Sequence, residues 1–341
     1  MMEELYMRRA LQLAKLGLGS VSPNPMVGCV IVHEDKIIGE GYHERYGGPH
    51  AEVNAVANVV NMELLRESTV YVTLEPCVHF GKTPPCADLL ISHQVKKVVI
   101  CNDDPNPLVA GKGIQRIREA GIEVDTGLLS EEGSQVNKRF FTSFKKDRPY
   151  VILKWAETAD GFVARKNFDS KWISNQYSRQ LVHKWRSEED AILVGKNTAK
   201  YDNPSLTTRD WTGKNPVRVV IDAKMELHAS SHLYDGNVQT LCFTQQNCVD
   251  MDNLHFICQN KITPETILHE LQERNIQSII IEGGSRTIQS FIDANLWDEA
   301  RVFRSPATFG EGIKSPYLVG NVICHESIFE DQLSIYTSKH G

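Results

Sequence analysis

The sequence predicts an α/β protein of two domains, and three observations carry that expectation. Over residues 1–145, short β-branched apolar runs alternate with helix-like segments. A second alternation of the same kind begins at Tyr150. Between them the polar stretch "FKKDRP", Phe144 to Pro149, interrupts the pattern and reads as a linker. A chain of 341 residues can fill two ordinary cores. Neither an internal repeat nor a low-complexity segment relates the halves, so two different domains, 1–145 and 150–341, are expected.

In the first domain, "MMEELYMRRALQLAKLGLGS" has acids at its front and no sustained apolar core, so it reads as an amphipathic helix and not a signal peptide. "MVGCVIV" and "KIIGEGYH" pair as a hairpin. "HAEVNAVANVV" is a helix, "STVYVTLE" a strand, "CADLLISHQ" a helix, "KKVVICNDD" a strand and "GKGIQRIREAG" a helix. The second domain begins with the strand in "YVILKWAETADG". It continues through "EDAILVGKNT", "NPVRVVIDAK", "NVQTLCFT" and "LHFICQN" to "SIIIEGGSRTIQSFIDANLWDEARVF", with helical pieces between the apolar runs.

Composition excludes several function classes. Hydrophobic residues make up 41% and charged residues 23%, an ordinary globular balance. A net charge of −6 advertises no affinity for nucleic acid, so an anionic substrate would need local basic or backbone-amide sites. No uninterrupted apolar run is long enough to span a bilayer. Eight cysteines scattered over a long chain fit reduced thiols and a cytoplasmic protein.

"GGPHAEVNAVANVV" puts His50 and Glu52 at a helix start, and "TLEPCVHFGKTPPC" puts Cys77 and Cys86 after a strand. A catalytic zinc takes three protein ligands and leaves one position for water, and one imidazole with two thiolates is such a set. Water held there ionises near neutral pH instead of at about 16. Glu52, two residues from His50, can face that water without being a ligand and can carry protons. Alone, a His-Ala-Glu triplet marks only a helix start, and free cysteines are mostly buried filler. Together and in this order they form the zinc-deaminase signature, whose second half is usually Cys-x-x-Cys.

"SPNPMVGCVIV", "GGPHAE", "TLEPCVHFGKTPPC" and "NDDPNPLVAGKGI" resemble the deaminase half of the bifunctional riboflavin-biosynthesis deaminase/reductases, which has a cytidine-deaminase-like fold. The resemblance implies a substrate role for His79 and Lys82, inside the eight-residue insert between the cysteines. It implies the same for Asn24 and for Asp104 and Asn106 in "DPNP". A lysine suits a phosphate and an asparagine a pyrimidine edge. His43 in "GYHERYGG" is as well read as a structural histidine.

In the second domain "SIIIEGGSRTIQSFIDANL" is a strand, an acid, two glycines and an amphipathic helix, a place where backbone amides meet phosphate. Together with "LKWAETADGFVA", "DSKWISN" and "ILVGKNTAKYDNPSLTTR" it resembles the reductase half of the same family, a dihydrofolate-reductase-like domain using NADPH. That resemblance implies cofactor contacts at Ala156, Trp172, Thr198, Asp202, Gly284, Ser285, Arg286, Thr287, Ile288, Gln289 and Ser290. It implies substrate contacts at Ser170, Arg186, Leu206, Arg209 and Glu282, with Lys154 and Asp160 near the reacting centre. Thr158-Ala159 and Ser305-Pro306 depart from the family pattern, and the last twenty or so residues carry no functional signal.

The expectation is therefore a bifunctional enzyme of small pyrimidine ribose-phosphates with one zinc per chain and NADPH, bound to no nucleic acid or membrane. A homodimer or homotetramer is implied by the family. Two rivals stand beside it: a nucleoside or nucleic-acid deaminase with an appended nucleotide-binding domain, and a structural zinc clip with His79 as fourth ligand.

Overall fold

Gly28 sets how the first unit begins. A Cβ there would lie 2.0 Å from the Ala10 carbonyl oxygen, so the first strand and the helix before it meet backbone to backbone. That helix, α1 (Met2–Lys15), buries Met7, Ala10, Leu11 and Ala14, with Glu3 and Glu4 in its first turn and Lys15 in its last, as the helix dipole favours. The computed structural model describes residues 2–78 and 84–339. The chain divides into two compact units, Met1–Asp147 and Arg148–Gly341.

In the first unit β1 (Gly28–His33) and β2 (Lys36–Tyr42) form the expected antiparallel hairpin, turning through Glu34 and Asp35, both at positive φ. There follow α2 (Ala51–Ala57), β3 (Thr69–Leu74), α3 (Cys86–Ser92), β4 (Lys97–Asn102), α4 (Lys112–Glu119), β5 (Glu123–Thr126), α5 (Ser130–Val136) and α6 (Lys138–Lys146). The sheet order is β2-β1-β3-β4-β5. β1 runs antiparallel to β2 and β3, while β3, β4 and β5 are parallel. Ala55, Val56, Leu90 and Ile117 of α2, α3 and α4 cover one face, and α1 with Val136 of α5 covers the other. Strands covered on both faces explain the unbroken apolar runs "CVIV" and "KKVVIC".

The stretch read as a linker is not one throughout. Phe144 to Lys146 complete α6, which ends at Asp147 in the left-handed region, φ 50°. Arg148 is buried in the second unit, where its guanidinium grips Asp298 with two hydrogen bonds of 2.6 and 2.8 Å. A charge-rich sequence looks like a linker until its partner, far along the chain, is known.

The second unit contains β6 (Tyr150–Glu157), β7 (Phe162–Ala164), α7 (Gln176–Glu188), β8 (Ala191–Gly195), α8 (Lys196–Asp202), β9 (Val217–Ile221), β10 (Thr240–Thr244) and β11 (Leu254–Cys258). Next come α9 (Pro264–Glu273), β12 (Ser278–Gly283), α10 (Ser285–Asp293), β13 (Glu299–Arg304), β14 (Ile313–Lys314), β15 (Asn321–Ile328) and β16 (Asp331–Thr337). Nine strands form a sheet in the order β11-β10-β9-β8-β12-β6-β13-β16-β15. It is parallel from β11 to β13 and antiparallel over the final hairpin. Leu153, Leu193, Val219, Phe243, Ile281 and Phe291 lie in its principal core. Asn175 caps α7, and Thr263 with Thr266 forms a capping box on α9. Among the described residues no helix is long and apolar enough to cross a membrane.

Candidate active sites, one in each unit

The first site is built where two helices begin. His50 is the N-cap of α2 and Cys86 the first residue of α3, while Cys77 lies on the loop between β3 and α3. His50 Nδ1 lies 3.5 Å from Cys77 Sγ and 3.3 Å from Cys86 Sγ, and the three donor atoms all fall within 4.8 Å of one another. The Cys86 N–H, at the start of α3, donates to Cys77 Sγ at 3.4 Å. The Cys86 hydrogen bond holds the Cys77 thiol well below its ordinary range and pushes Cys86 up, so one thiolate forms readily and the second needs a cation. One neutral nitrogen and two sulfurs, with no fourth donor among the described residues of the cluster, fit a zinc ion that keeps an open position.

Glu52, in the first turn of α2, is buried beside this cluster. Burial, and after it the charge on Cys77, push its carboxyl above the ordinary range, which suits a group that must both take and give a proton. His43 Nδ1 lies 2.9 Å from the Pro49 carbonyl oxygen, so it carries the proton there. His43 Nε2 then accepts from Asn24 Nδ2 at 3.1 Å, which fixes the orientation of the Asn24 amide. His79 and Lys82 lie outside the described residues.

Asp104 and Asn106 lie on the loop between β4 and α4, and a residue that sequence reasoning passed over holds that loop. Glu75 is buried, with Oε2 accepting the N–H groups of Asp104 (3.3 Å) and Gly111 (2.9 Å) and Oε1 those of Gly113 (2.8 Å) and Ile114 (3.2 Å). Two residues before Cys77, it ties the loop that carries this candidate ligand to the Asp104–Asn106 loop and takes the free amides at the start of α4. Gly113 is required at this contact, since a Cβ would lie 2.1 Å from the Pro76 carbonyl oxygen. The acid in "EPC" was the available signal.

The second site is a cavity of about 860 Å³ at the carboxyl ends of β6, β8, β9 and β12, where open parallel sheets bind ligands. It is lined by the expected Ala156, Ser170, Trp172, Arg186, Thr198, Asp202, Leu206, Arg209, Glu282 and Gly284 to Ile288. Gln289 and Ser290 are not brought to it. Gln289 bonds Asp293 and the backbone of Tyr317, and the Ser290 hydroxyl donates to the Thr287 carbonyl. Asp160 also lies away from the lining; its carboxylate accepts the N–H groups of Phe309 and Gly310.

Arg186 holds Glu282 with two hydrogen bonds of 2.9 and 2.7 Å, and Lys154 Nζ lies 4.0 Å from the same carboxylate. Burial pushes Glu282 up, but Arg186 and Lys154 outweigh it and hold the carboxyl down at about 2. Burial lowers Lys154. In the same lining, α10 begins after its N-cap Gly284 with no side-chain cap, leaving its first amides for an anion. Thr198 Oγ1 accepts the Gly284 N–H at 2.9 Å, and Trp172 stands 69% exposed with the Arg179 guanidinium 4.5 Å from its ring centroid. An uncapped helix start, an exposed indole and room for a dinucleotide fit NADPH.

Two family profiles match the chain: the cytidine and deoxycytidylate deaminase zinc-binding region over residues 1–102, and the RibD C-terminal domain over residues 149–324. The riboflavin biosynthesis protein RibD of Aquifex aeolicus is 42% identical over 315 residues, 90% of this chain and 88% of that protein. Its namesake in Escherichia coli is 36% identical over 333 residues, 91% and 89% of the two chains. The chain belongs to the RibD family of bifunctional riboflavin-biosynthesis enzymes. A crystal structure of a deaminase/reductase from Thermotoga maritima superimposes with a TM-score of 0.91 at 40% identity, covering 99% of each chain. As a RibD-family enzyme it is a deaminase and a reductase in one chain, a cytidine-deaminase-like domain followed by a reductase domain. Its cofactors are zinc and NADPH, and its substrates are small molecules.

Proposed function

We propose that the first site removes the 2-amino group of 2,5-diamino-6-ribosylamino-4(3H)-pyrimidinone 5′-phosphate as ammonia, and that the second reduces the ribosyl chain of the product to ribityl. The Thermotoga relative carries these two activities in its description, as a diaminohydroxyphosphoribosylaminopyrimidine deaminase and a 5-amino-6-(5-phosphoribosylamino)uracil reductase. The observation that carries the reading is the convergence of His50, Cys77 and Cys86 with the buried carboxylate of Glu52 beside them.

Zinc, when bound by those three residues, supplies the Lewis acidity that makes water a nucleophile near neutral pH. Glu52 takes the proton from the attacking water and delivers it to the departing amine, so its carboxylate is regenerated as ammonia leaves. Asn24, its amide oriented by His43, presents an acceptor to the pyrimidine edge. Asp104 and Asn106 bind substrate from the loop that Glu75 holds, and His79 and Lys82 contribute from the insert.

NADPH, when bound in the second unit, would supply the hydride for reduction at the sugar C1′. Ala156, Trp172, Thr198, Asp202 and the segment from Gly284 to Ile288 orient the cofactor. Ser170, Arg186, Leu206, Arg209 and Glu282 hold the substrate. Lys154, desolvated and 4.0 Å from Glu282, stands where it can donate a proton or a hydrogen bond to the reacting sugar. We infer a cytoplasmic protein, consistent with its free thiols, and a homodimer or homotetramer, as the family resemblance implies.

The test is Glu52→Ala. The variant keeps one zinc per chain, releases no ammonia and still oxidises NADPH when given the deaminated intermediate. Ammonia release at the wild-type rate would overturn the role of Glu52.

A further inference from the structure

Two side chains of α7, three positions apart, reach the irregular segment 206–210 that lines the second cavity. Arg186 Nη1 donates to the Thr207 carbonyl at 3.3 Å, while its other nitrogens are committed to Glu282. His183, 3% exposed, accepts the Arg209 backbone N–H on Nδ1 at 3.3 Å, and its Nε2 lies 3.3 Å from Asp210 Oδ2. A backbone N–H can only donate, so Nδ1 must be bare and the imidazole proton must sit on Nε2, the nitrogen that faces Asp210. The segment needs such holding. It has no helix or strand of its own, and its buried Leu206 sits at φ 54°, a conformation side chains rarely adopt.

We propose that His183 is a positioning residue of the reductase, which as the neutral Nε2–H tautomer holds segment 206–210 by the Arg209 backbone so that the Arg209 side chain meets the substrate's phosphate. This rests on the reading of Arg209 as a substrate contact.

The groups that face the imidazole are Arg186 on α7, Arg209 and Asp210 on the segment, and Glu282 at the end of β12. Burial and then the two guanidinium groups push His183 below its ordinary range, against Asp210 and Glu282. At neutral pH the acceptor is therefore present. As pH falls through a value below the ordinary histidine range, Nδ1 gains a proton, the Arg209 N–H loses its acceptor and substrate binding weakens.

The experiment is steady-state reduction of the deaminated substrate by the full chain at saturating NADPH. An asparagine can put its Oδ1 where His183 Nδ1 was, whereas a glutamine reaches the Nε2 position and leaves Nδ1 unreplaced. His183→Gln is expected to raise KM about five- to tenfold, with kcat within about twofold. His183→Asn is expected to restore KM to within about twofold of wild type and to lose the extra acid-side rise in KM, beyond the rise from protonation of the substrate phosphate itself. Equal KM increases in both variants, or none in either, would overturn the proposal while Arg209→Ala still raises KM. If Arg209→Ala leaves KM unchanged, the substrate role of Arg209 fails, and the positioning role with it. A measurement independent of folding in the variants is the 15N shift of the wild-type His183 ring near neutral pH: the Nε2–H tautomer is expected, and the Nδ1–H tautomer would overturn the proposal.

Discussion

At the scale of single residues, the two units use buried carboxylates in opposite ways. Glu52 is pushed up by burial and the neighbouring thiolate, which fits proton transfer, whereas Glu282 is held low by Arg186 and Lys154, which fits a permanent charge. Glu75 has a third use, as the acceptor of four backbone amides. Glu75→Gln keeps one acceptor oxygen and leaves two amides without a partner, at about 1–3 kcal/mol each. Hydrogen exchange should accelerate at one pair of amides, Asp104 with Gly111 or Gly113 with Ile114, and KM for deamination should rise, with zinc content unchanged; protection of all four amides and an unchanged KM would return Glu75 to an incidental role. His50, Glu52, Cys77 and Cys86 were legible in the sequence because their chemistry demands those residue types in that order. The roles of Glu75 and His183 were not, because the backbone amides they hold belong to no residue type; the acid in "EPC" marks that a carboxylate is present but not what it binds.

Among elements, the strands were the legible part. Parallel strands covered on both faces carry unbroken apolar runs, so β1, β3, β4, β6, β8 and β12 stood out. The four-residue β5 buries only Val124, and β15 exposes most of its side chains, so neither has a pattern to read. The final hairpin of β15 and β16, silent in sequence, completes the large sheet beside β13. Close backbone contacts are likewise visible only in the fold. Gly28→Ala would place a methyl 2.0 Å from the Ala10 carbonyl. It should push α1 off the sheet at a cost of about 1–3 kcal/mol, read as a lower denaturation midpoint for the first unit. An unchanged midpoint would mean that α1 and β1 do not pack backbone to backbone.

For the whole molecule, the sequence provides a reporter of one unit alone. All five tryptophans, at 155, 172, 185, 211 and 297, fall in the second unit, so tryptophan fluorescence follows that unit alone. Glu282 has a folded value of about 2 against an ordinary value of 4.5. A depressed carboxyl stabilises the fold above its ordinary value, and that contribution is lost as pH falls from 4.5 towards 2. The tryptophan-detected denaturation midpoint should therefore fall across this window in wild type and fall less in Glu282→Gln; identical slopes would remove Glu282 as the cause.

The central claim is that one chain performs deamination and then reduction. It is tested by incubating the full chain, loaded with zinc, with the diaminopyrimidine ribose-phosphate and following ammonia and NADPH oxidation separately. Without NADPH, ammonia should be released to completion, and with NADPH, oxidation should begin after a lag and reach the same molar total. NADPH oxidation that precedes or exceeds ammonia release, or ammonia release with no oxidation to follow, would contradict it.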